Sequence, residues 1–501
     1  MFLSTFLGAT LLAGSVGSAT GADSPVTVAL DTRNPGAAIP PDFSGLSFEV
    51  ALVLPGPNGV HYFRPDNKPL INLFHTFGIK SLRIGGNTSD RDVRQLPDQA
   101  DLDSLFGFAR AAQVKVIYCL RLCHSQPQAD VQTAKYIMDH YANQMDCFSI
   151  GQEPSAYPKI ANSVRAEDGM GPAMEKYPYP LYASEWKKFA DAIAASVPGV
   201  KFCGPSVHNN GAWAVKFIHD FAQSNRVVLV TEHLYPGGAG NKVATPEIGI
   251  DRMLSGNSGM TNGFPRVYQR LYDSFVPLAV SQGLPYRLEE VNNYFNGGAA
   301  KVSNTFASAL WGLDFMHWWA AHGAAGLNFH TGDQVAAGYT LQPSKYTAYF
   351  STTNGYLVRP LGYGIKTFDL GGRGKILPAA ISNPGNLNLN AYAVLGDDKK
   401  LYLTVINQEH GADARDAIIS IHPDDAGFTR GEVIFLSAPA NDVAATEGET
   451  LGGAAIQSDG SWSGTWTPLA SPAMPGRAGD VFQLRVPAAN AAIVKLTRNL
   501  F

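Results

Sequence analysis

The apolar positions of the chain follow two different patterns, and the first pattern extends from about residue 43 to about residue 345. Short apolar runs there alternate with segments whose apolar residues recur at helical spacing. The runs predict strands at 43–50, 81–84, 115–122, 147–151, 201–205, 227–231, 285–290 and 326–329. The segments between them predict helices at 69–76, 101–112, 130–141, 185–196, 212–222, 263–282 and 305–322. Strands alternating with helices indicate parallel βαβ units, and eight parallel strands close into a barrel.

The alternative α/β fold is a doubly wound open sheet. Such a sheet would carry a glycine-rich phosphate-binding loop after its first strand, and the segment Gly45-Leu46-Ser47-Phe48-Glu49 contains none. The sequence therefore predicts a (β/α)8 TIM barrel over residues 43–345.

The second pattern begins at about residue 346, where short runs of alternating apolar and polar residues are separated by turns and no helix is predicted. Strands are predicted at 388–395, 400–407, 417–422, 431–437, 461–466, 481–486 and 491–496. This pattern is typical of an antiparallel β-sandwich, assigned to residues 346–501. One strand at 26–31, within an N-terminal segment 23–42, belongs to no βα unit. We expect it to complete the sandwich.

The first 22 residues are apolar and small, and they end in Thr20-Gly21-Ala22, which suits signal-peptide cleavage. We therefore expect a signal peptide over 1–22 and a secreted protein; the alternative is a disordered or membrane-anchoring N-terminus. A net charge of −4 gives no reason to expect nucleic acid or a membrane as partner. The four cysteines are not spaced like a metal site and are interpreted as buried thiols, with a disulfide between neighbouring strands as the alternative.

Polar residues follow the predicted strands at the points where they end. Glu153 ends the fourth strand, and Pro154 is expected to bias it towards an extended backbone. A carboxylate there is costly unless the strand end opens into a cleft; the alternative is a helix cap. Further polar strand ends carry Glu49, Asn87 to Asp90, Glu232 to Tyr235, Glu289 to Tyr294, and Asn328 to His330. A polar, aromatic cup with no metal cluster or phosphate loop suits a carbohydrate, and no cofactor or metal is expected.

Strands four and seven end on opposite sides of such a cup, so their carboxylates can meet over the barrel axis. Retaining glycoside hydrolysis needs this arrangement: one acid protonates the leaving oxygen while a nearby carboxylate attacks the anomeric carbon. The acid must have a raised pKa, and we expect the negative nucleophile to help raise it. The sequon at Asn87 falls in this cleft, so glycosylation there is not expected.

Several motifs resemble glycoside hydrolase family 79, which contains heparanase and β-glucuronidases. They are Gly151-Gln152-Glu153-Pro154, Glu290-Val291-Asn292, Arg83-Ile84-Gly85-Gly86-Asn87, the segment from Val302 to Trp311, and the segment from Arg359 to Gly364. The resemblance covers essentially the whole chain after the leader. It implies a barrel with a β-sandwich, retention of configuration, and cleavage of a β-linked glucuronate.

By this resemblance Glu153 is the acid/base and Glu290 the nucleophile. Glu289 competes for the second role because adjacent strand residues face opposite ways, and the family's Glu-x-Asn spacing selects Glu290. The polar strand ends and the resemblance together give candidate substrate-binding residues: Glu49, Asn87, Gln152, His233, Tyr235, Tyr294, His330, Gly338 and Tyr339. For Glu49, His233, Tyr235 and His330, the alternative is a hydrogen-bonded residue that does not contact the substrate. Trp318 and Trp319 are interpreted as core.

Two positions depart from the family pattern. Gln152 stands where the family usually has an asparagine that binds the sugar 2-hydroxyl, and Phe295 stands where it often has a tyrosine that contacts the uronate. The leading hypothesis is an exo-β-glucuronidase that acts on a glycan or glycoside. The alternatives are a retaining β-glycosidase for a neutral sugar such as glucose or xylose, and a catalytically silent carbohydrate-binding protein.

Overall fold

The computed structural model describes residues 25–90, 95–123, 125–157, 177–256, 260–331, 333–334, 342–425, 427–470 and 481–498. The signal peptide expected over 1–22 lies outside these residues, as do the predicted site residues Gly338 and Tyr339.

Eight parallel strands close into a barrel, which confirms the predicted fold class. In chain order they are Ser44–Glu49, Ser81–Gly85, Lys115–Leu120, Met145–Ile150, Phe202–His208, Val227–Leu234, Tyr286–Val291 and Gly326–His330, called barrel strands one to eight below. Strand one pairs in parallel with strand eight, with Gly45 opposite Asn328, and this pairing closes the ring. The carboxyl ends of all eight strands therefore meet at one rim, where a barrel of this kind holds its active site.

The helices of the described residues are Lys68–Thr76, Gln99–Ala112, Pro127–Tyr141, Tyr179–Ser196, Gly211–Phe221, Pro246–Met253, Phe264–Ser281, Ala307–Ala321 and Pro360–Gly371. Short 3₁₀ turns occur at Val50–Val53, Asn87–Ser89, Pro154–Ala156, Gly240–Lys242 and Pro439–Asn441. None of the helices in the described part of the chain combines the length and apolar character needed to cross a bilayer.

The helix Pro360–Gly371 corrects the prediction that helices stop near residue 346. Nearly all of its residues are buried, so it lacks the polar stripe that reveals a surface helix. It packs against Ala307–Ala321 at a distance that requires glycine, because a β-carbon at Gly364 would lie 2.4 Å from the carbonyl oxygen of Ala309. The glycines that allow this approach also hid the helix in the sequence.

Two sheets form the sandwich. The larger sheet has, in spatial order, strands Gly374–Leu377, Leu389–Gly396, Leu401–Asn407, Asn490–Arg498, Phe428–Ser437 and Thr450–Leu451, with Thr467–Leu469 paired to Phe428–Ser437. The smaller sheet has strands Ala379–Ser382, Val26–Leu30, Ala417–Pro423 and Phe482–Val486. Hairpins Tyr349–Thr352 with Gly355–Val358, and Asp333–Gln334 with Gln342–Pro343, stand apart from both sheets.

The N-terminal strand completes the sandwich as expected, but it runs parallel to Ala417–Pro423 and antiparallel to Ala379–Ser382. Val26, Val28 and Leu30 face the interior because alternate residues of a strand share a face. The strand predicted at 461–466 is wrong: that segment is irregular, and the indole of Trp462 donates a hydrogen bond to the carbonyl of Leu451 instead.

Apolar contacts run without a break from the barrel helices into the larger sheet of the sandwich. A polar contact lies in the same junction, where the carboxylate of Asp314 accepts hydrogen bonds of 2.8 Å from Asn390 and from Tyr392. Burial raises the pKa of Asp314 to about 6, although its hydrogen-bond donors oppose the shift. The sandwich thus packs against helices on the outside of the barrel.

Candidate active site

A bulge in barrel strand seven brings both of its glutamates to the inner face of the barrel. Glu232 and His233 are adjacent in strand six, but they pair with Leu288 and Glu290, so one residue of strand seven is extra. Both carboxylates reach the ring of His233: Glu289 lies 3.5 Å from Nε2 and Glu290 lies 3.8 Å from Nδ1. The expectation that only one of them could point inward is wrong, because strict alternation ends at the bulge.

Glu290 is held by three donors. Arg83 donates to its Oε2 at 2.7 Å, Gln152 donates to the same oxygen at 3.0 Å, and the phenol of Tyr235 donates to Oε1 at 2.9 Å. Burial alone would raise the pKa of Glu290, but the charges of His330, His233 and Arg83, with the hydrogen bond from Gln152, hold it well below its usual value. Glu290 is therefore an ionised, oriented carboxylate at neutral pH.

Two glycines make room for these groups. A β-carbon on Gly85 would lie 2.1 Å from the guanidinium carbon of Arg83, and one on Gly86 would lie 2.3 Å from the carboxyl carbon of Glu49. Gly86 also has a φ of 75°, which favours glycine. The Arg-Ile-Gly-Gly motif is thus the local sequence that admits a buried guanidinium beside the cup.

Glu153 lies just beyond the end of barrel strand four and has a left-handed backbone with φ 47° and ψ 55°, not the extended conformation expected before a proline. The backbone is held there because the Glu153 N–H donates to the carbonyl of Ser206, and the Gln152 N–H donates to buried Asp90. Non-glycine residues in this region are strained by roughly 1–3 kcal/mol and cluster at functional sites. The Glu153 side chain does not cap the following 3₁₀ turn; it turns into the cup.

The carboxylate of Glu153 accepts a hydrogen bond of 3.1 Å from Nδ1 of His233. Burial would lower the pKa of His233, but the carboxylates of Glu290, Glu153 and Glu289 raise it to about 9. The protonated ring in turn lowers the pKa of Glu153, although burial and the charge of Glu290 act to raise it. The expected raised pKa of the acid is therefore not found in the free site, because the proton rests on His233.

Glu153, His233 and Glu290 come together closely: one side-chain oxygen or nitrogen of each lies within 4.8 Å of the others. These three side chains could also supply ligands to a metal ion. However, Oε2 of Glu290 already binds the guanidinium of Arg83, which would repel a cation at that position. The arrangement fits a pair of catalytic carboxylates better than it fits a metal centre.

Glu49 and His330 line the opposite side of the cup. His330 contacts the hydroxyl of Ser47 at 3.1 Å through Nδ1, and its Nε2 lies 3.5 Å from Glu49. Glu49 also accepts hydrogen bonds from the backbone N–H groups of Asn87 and Thr88, while the Asn87 side chain is exposed. Glu49 thus fixes the turn after strand two as well as facing the cup.

The structure does not bring Tyr294 into the cup. Its ring is fully buried against Phe264, and its hydroxyl donates to the carbonyl of Gly249 behind the barrel wall. Phe295, the next residue, does border the cup, where it packs edge-on against His208 and Tyr235.

Two residues that hold Glu290 and Gln152 in place were not among the predicted catalytic and substrate-binding residues, although Asp90 was named among the polar strand ends and Arg83 among the motifs. Arg83 is completely buried within a strand, and Asp90 accepts backbone hydrogen bonds from Leu122, Cys123 and Gln152. A buried arginine needs a carboxylate partner. A charged residue at an inward position of a barrel strand was therefore the signal for Arg83.

No family model matches the chain. A β-glucuronidase of Aspergillus niger is 27% identical to it over 198 residues, which cover 37% of this chain and 34% of that protein. The chain thus matches about one third of the length of that relative.

Solved structures share the fold over nearly the whole chain. The 4-O-α-L-rhamnosyl-β-D-glucuronidase of Fusarium oxysporum has a TM-score of 0.69 at 18% identity, covering 94% of this chain and 100% of its own. The GH51 arabinofuranosidase of Xanthomonas axonopodis pv. citri has a TM-score of 0.63 at 12% identity, with coverage of 94% and 100%. The chain is thus similar in sequence to a β-glucuronidase and shares the fold of glycoside hydrolases, which confirms the resemblance inferred from its motifs.

Proposed function

We propose that the chain is a glycoside hydrolase that removes terminal β-linked glucuronic acid with retention of configuration. The observation that carries this proposal is the approach of the Glu153 and Glu290 carboxylates to within 4.8 Å in one cup. Retaining enzymes have carboxyl groups about 5–5.5 Å apart, whereas inverting enzymes need about 6.5–9.5 Å to admit a water molecule. The similarity to a β-glucuronidase supports the class of sugar.

Glu290 is the nucleophile in this proposal because its low pKa keeps it ionised. It attacks the anomeric carbon to form a glycosyl ester while the leaving oxygen takes a proton from Glu153. Glu153 then removes a proton from the water that cleaves the ester, which restores both carboxyl groups. Glu289 is a poorer nucleophile because it is fully buried beneath Glu290, where it accepts a hydrogen bond from Ser206.

His233 supplies the proton that Glu153 needs. The pair carries one proton at neutral pH, on Nδ1 of His233 in the free site, and that atom lies 3.1 Å from the Glu153 carboxylate. Transfer across this hydrogen bond gives the protonated acid without a change in total charge. A sugar that displaces water from the cup weakens the solvation of the ionised carboxylate and so favours the transfer.

Gln152 orients the nucleophile. Its amide oxygen accepts a hydrogen bond from Arg83, and its amide nitrogen donates to Glu290, so both ends of the amide are already engaged. The extra methylene of glutamine, relative to the asparagine of the resembling family, accounts for this reach. The amide nitrogen carries two N–H donors, so the one that is not bonded to Glu290 is the donor left for a contact with the sugar 2-hydroxyl.

A retaining β-glycosidase for a neutral sugar is the second candidate. Phe295 favours it, because a phenyl ring at the rim of the cup offers no hydroxyl to a uronate carboxylate. A Phe295→Tyr variant discriminates the two candidates: it should increase kcat/KM on an aryl β-D-glucuronide if that ring borders the carboxylate, and should not do so on the matching glucoside.

The test is hydrolysis of an aryl β-D-glucuronide, β-D-glucoside and β-D-xyloside by wild type, Glu153→Ala and Glu290→Ala, with the product anomer followed by NMR. We expect turnover of the glucuronide with the β-anomer formed first. Glu290→Ala should be inactive, and Glu153→Ala should keep activity only on substrates with good leaving groups. An α-anomeric first product would contradict retention, and cleavage confined to neutral glycosides would contradict the uronidase. Sugar binding without hydrolysis would leave the silent carbohydrate-binding protein.

The proposal also includes the glycoside hydrolase family and the secretion of the protein. The motifs that resemble glycoside hydrolase family 79 support that family, and the small, apolar residues 1–22 support secretion after removal of a signal peptide. Mass spectrometry of the N-terminus of the exported protein tests the second point.

A further inference from the structure

A second cavity opens beside the catalytic cup. It has a volume of about 330 Å³ and shares Tyr235, Phe295 and His208 with the rim of the cup. Its lining also includes Arg252 and Arg270. The volume lies at the lower end of the roughly 300–1,000 Å³ typical of ligand pockets, so it suits one small group rather than a long chain.

The charge of this cavity has one sign. Its lining includes two arginines and no aspartate or glutamate. Nε of Arg252 donates to the carbonyl of Asn262 at 3.2 Å, which fixes the guanidinium. Within the described ranges of the chain, no carboxylate forms an ion pair with Arg252 or Arg270, whereas many exposed arginines of this protein have such a partner, for example Arg226 with Asp191.

Two guanidinium groups in one cavity repel each other unless an anion lies between them. A planar guanidinium forms paired, charge-assisted hydrogen bonds with carboxylate and sulfate oxygens, and these are among the strongest hydrogen bonds that proteins form. The apolar walls, formed by Val267, Pro236 and Phe295, lower the local dielectric and strengthen such bonds.

We propose that this cavity is an oxyanion-binding subsite that holds a carboxylate or sulfate group of the substrate on Arg252 and Arg270. The inference rests on the proposed function because the cavity is useful only beside a working cup. The oxyanion has two sources: the carboxylate of the sugar that is cleaved, or an acidic group on the sugar bonded to it.

The experiment compares wild type with the double variant Arg252→Gln/Arg270→Gln. Arg266→Gln is the matched control, since Arg266 is an exposed arginine on the same helix as Arg270 and does not line the cavity. The substrates are an aryl β-D-glucuronide and two disaccharides, in which glucuronate is linked to glucose or to glucose 6-sulfate. Calorimetry of glucuronate, glucose and glucose 6-sulfate measures binding without catalysis.

If the cavity binds the carboxylate of the cleaved sugar, the double variant loses roughly 100-fold or more in kcat/KM on all three glucuronides and weakens binding of glucuronate but not of glucose. If it binds the neighbouring sugar, the loss is confined to the sulfated disaccharide and to binding of glucose 6-sulfate. No loss in the double variant, or an equal loss in Arg266→Gln, overturns the proposal.

Failure of the subsite proposal can be distinguished from failure of the proposed hydrolase function. If wild type hydrolyses none of the glucuronides, the proposed function fails, and the calorimetry alone decides the subsite. Binding of an acidic sugar that falls with added salt and disappears in the double variant supports the subsite, and equal binding of acidic and neutral sugars overturns it.

Discussion

Removal of the Tyr235 hydroxyl should move the acidic limb of the pH–rate profile. That hydroxyl donates a hydrogen bond of 2.9 Å to Glu290 and therefore stabilises the ionised form of the nucleophile. Hydrogen bonds to charged groups contribute about 1.5–3 kcal/mol. Since one pKa unit corresponds to about 1.36 kcal/mol, Tyr235→Phe should raise the pKa of Glu290 by about 1–2 units. The ring keeps its contacts with His208 and Phe295, so the cup retains its shape.

The assay is kcat/KM on an aryl β-D-glucuronide between pH 3 and 9, because the acidic limb of that profile reports ionisation of the nucleophile in the free enzyme. The matched control is Tyr286→Phe, which loses a hydrogen bond of 2.7 Å to the carbonyl of His322 at the opposite end of the strand that carries Glu290. The control should lose about 0.5–1.5 kcal/mol of stability and keep the wild-type profile. An acidic limb that does not move in Tyr235→Phe would refute the assignment of Glu290 as the ionised nucleophile held by this phenol.

Three further predictions follow from the same structure. His233→Asn should move the basic limb of the profile down from about pH 9, since Glu153 must then hold its proton alone; an unchanged basic limb in kcat/KM would refute the proton relay. Asp314→Asn should stabilise the protein at pH 7 by up to about 3 kcal/mol but not at pH 4, measured by urea unfolding, because a folded-state pKa raised from 3.8 to about 6 makes wild-type stability fall as pH rises through that window. An equal change in unfolding free energy at pH 7 and pH 4 would contradict the raised pKa of Asp314. Gly364→Ala should cost about 1–3 kcal/mol by overpacking, whereas Gly107→Ala, whose β-carbon would meet Pro65 at 3.4 Å, should not destabilise; a tolerated Gly364→Ala would show that the helices can separate.

The barrel could be predicted because its strands are continuous apolar runs with polar ends, and each run appears as a strand within a few residues of its predicted bounds. The helix Pro360–Gly371 could not, since its burial removes the polar stripe and its glycines resemble a loop. Burial on all sides and close contact between helices depend on tertiary packing, so they leave no signal in the periodicity of a single segment.

The site divides in the same way. Glu153 and Glu290 were predicted from their positions near strand ends and from motifs, and the structure brings both carboxylates into the cup. Their surroundings were not, because the bulge at strand seven and the left-handed backbone at Glu153 change where side chains point without a clear sequence signal. For this reason Tyr294 was expected in the cup although it lies in the core, while the next residue, Phe295, borders the cup.

The bulge has a consequence for the charge balance of the barrel. By adding Glu289 to Glu153 and Glu290, it gives the inner cluster three carboxylates, against the two cations Arg83 and His233. Three negative and two positive charges leave one negative charge in a buried cluster, and the nearby pair of His330 and Glu49 adds opposite charges that leave this balance unchanged. The count is the same whether the shared proton rests on His233 or on Glu153. The positive charge that develops on the glycosyl ring as its bond breaks offsets this negative charge, whereas the ring of the intact substrate carries no charge that could do so. The barrel interior thus keeps a net negative charge until the glycosidic bond breaks, and the extra residue in strand seven is the source of that charge.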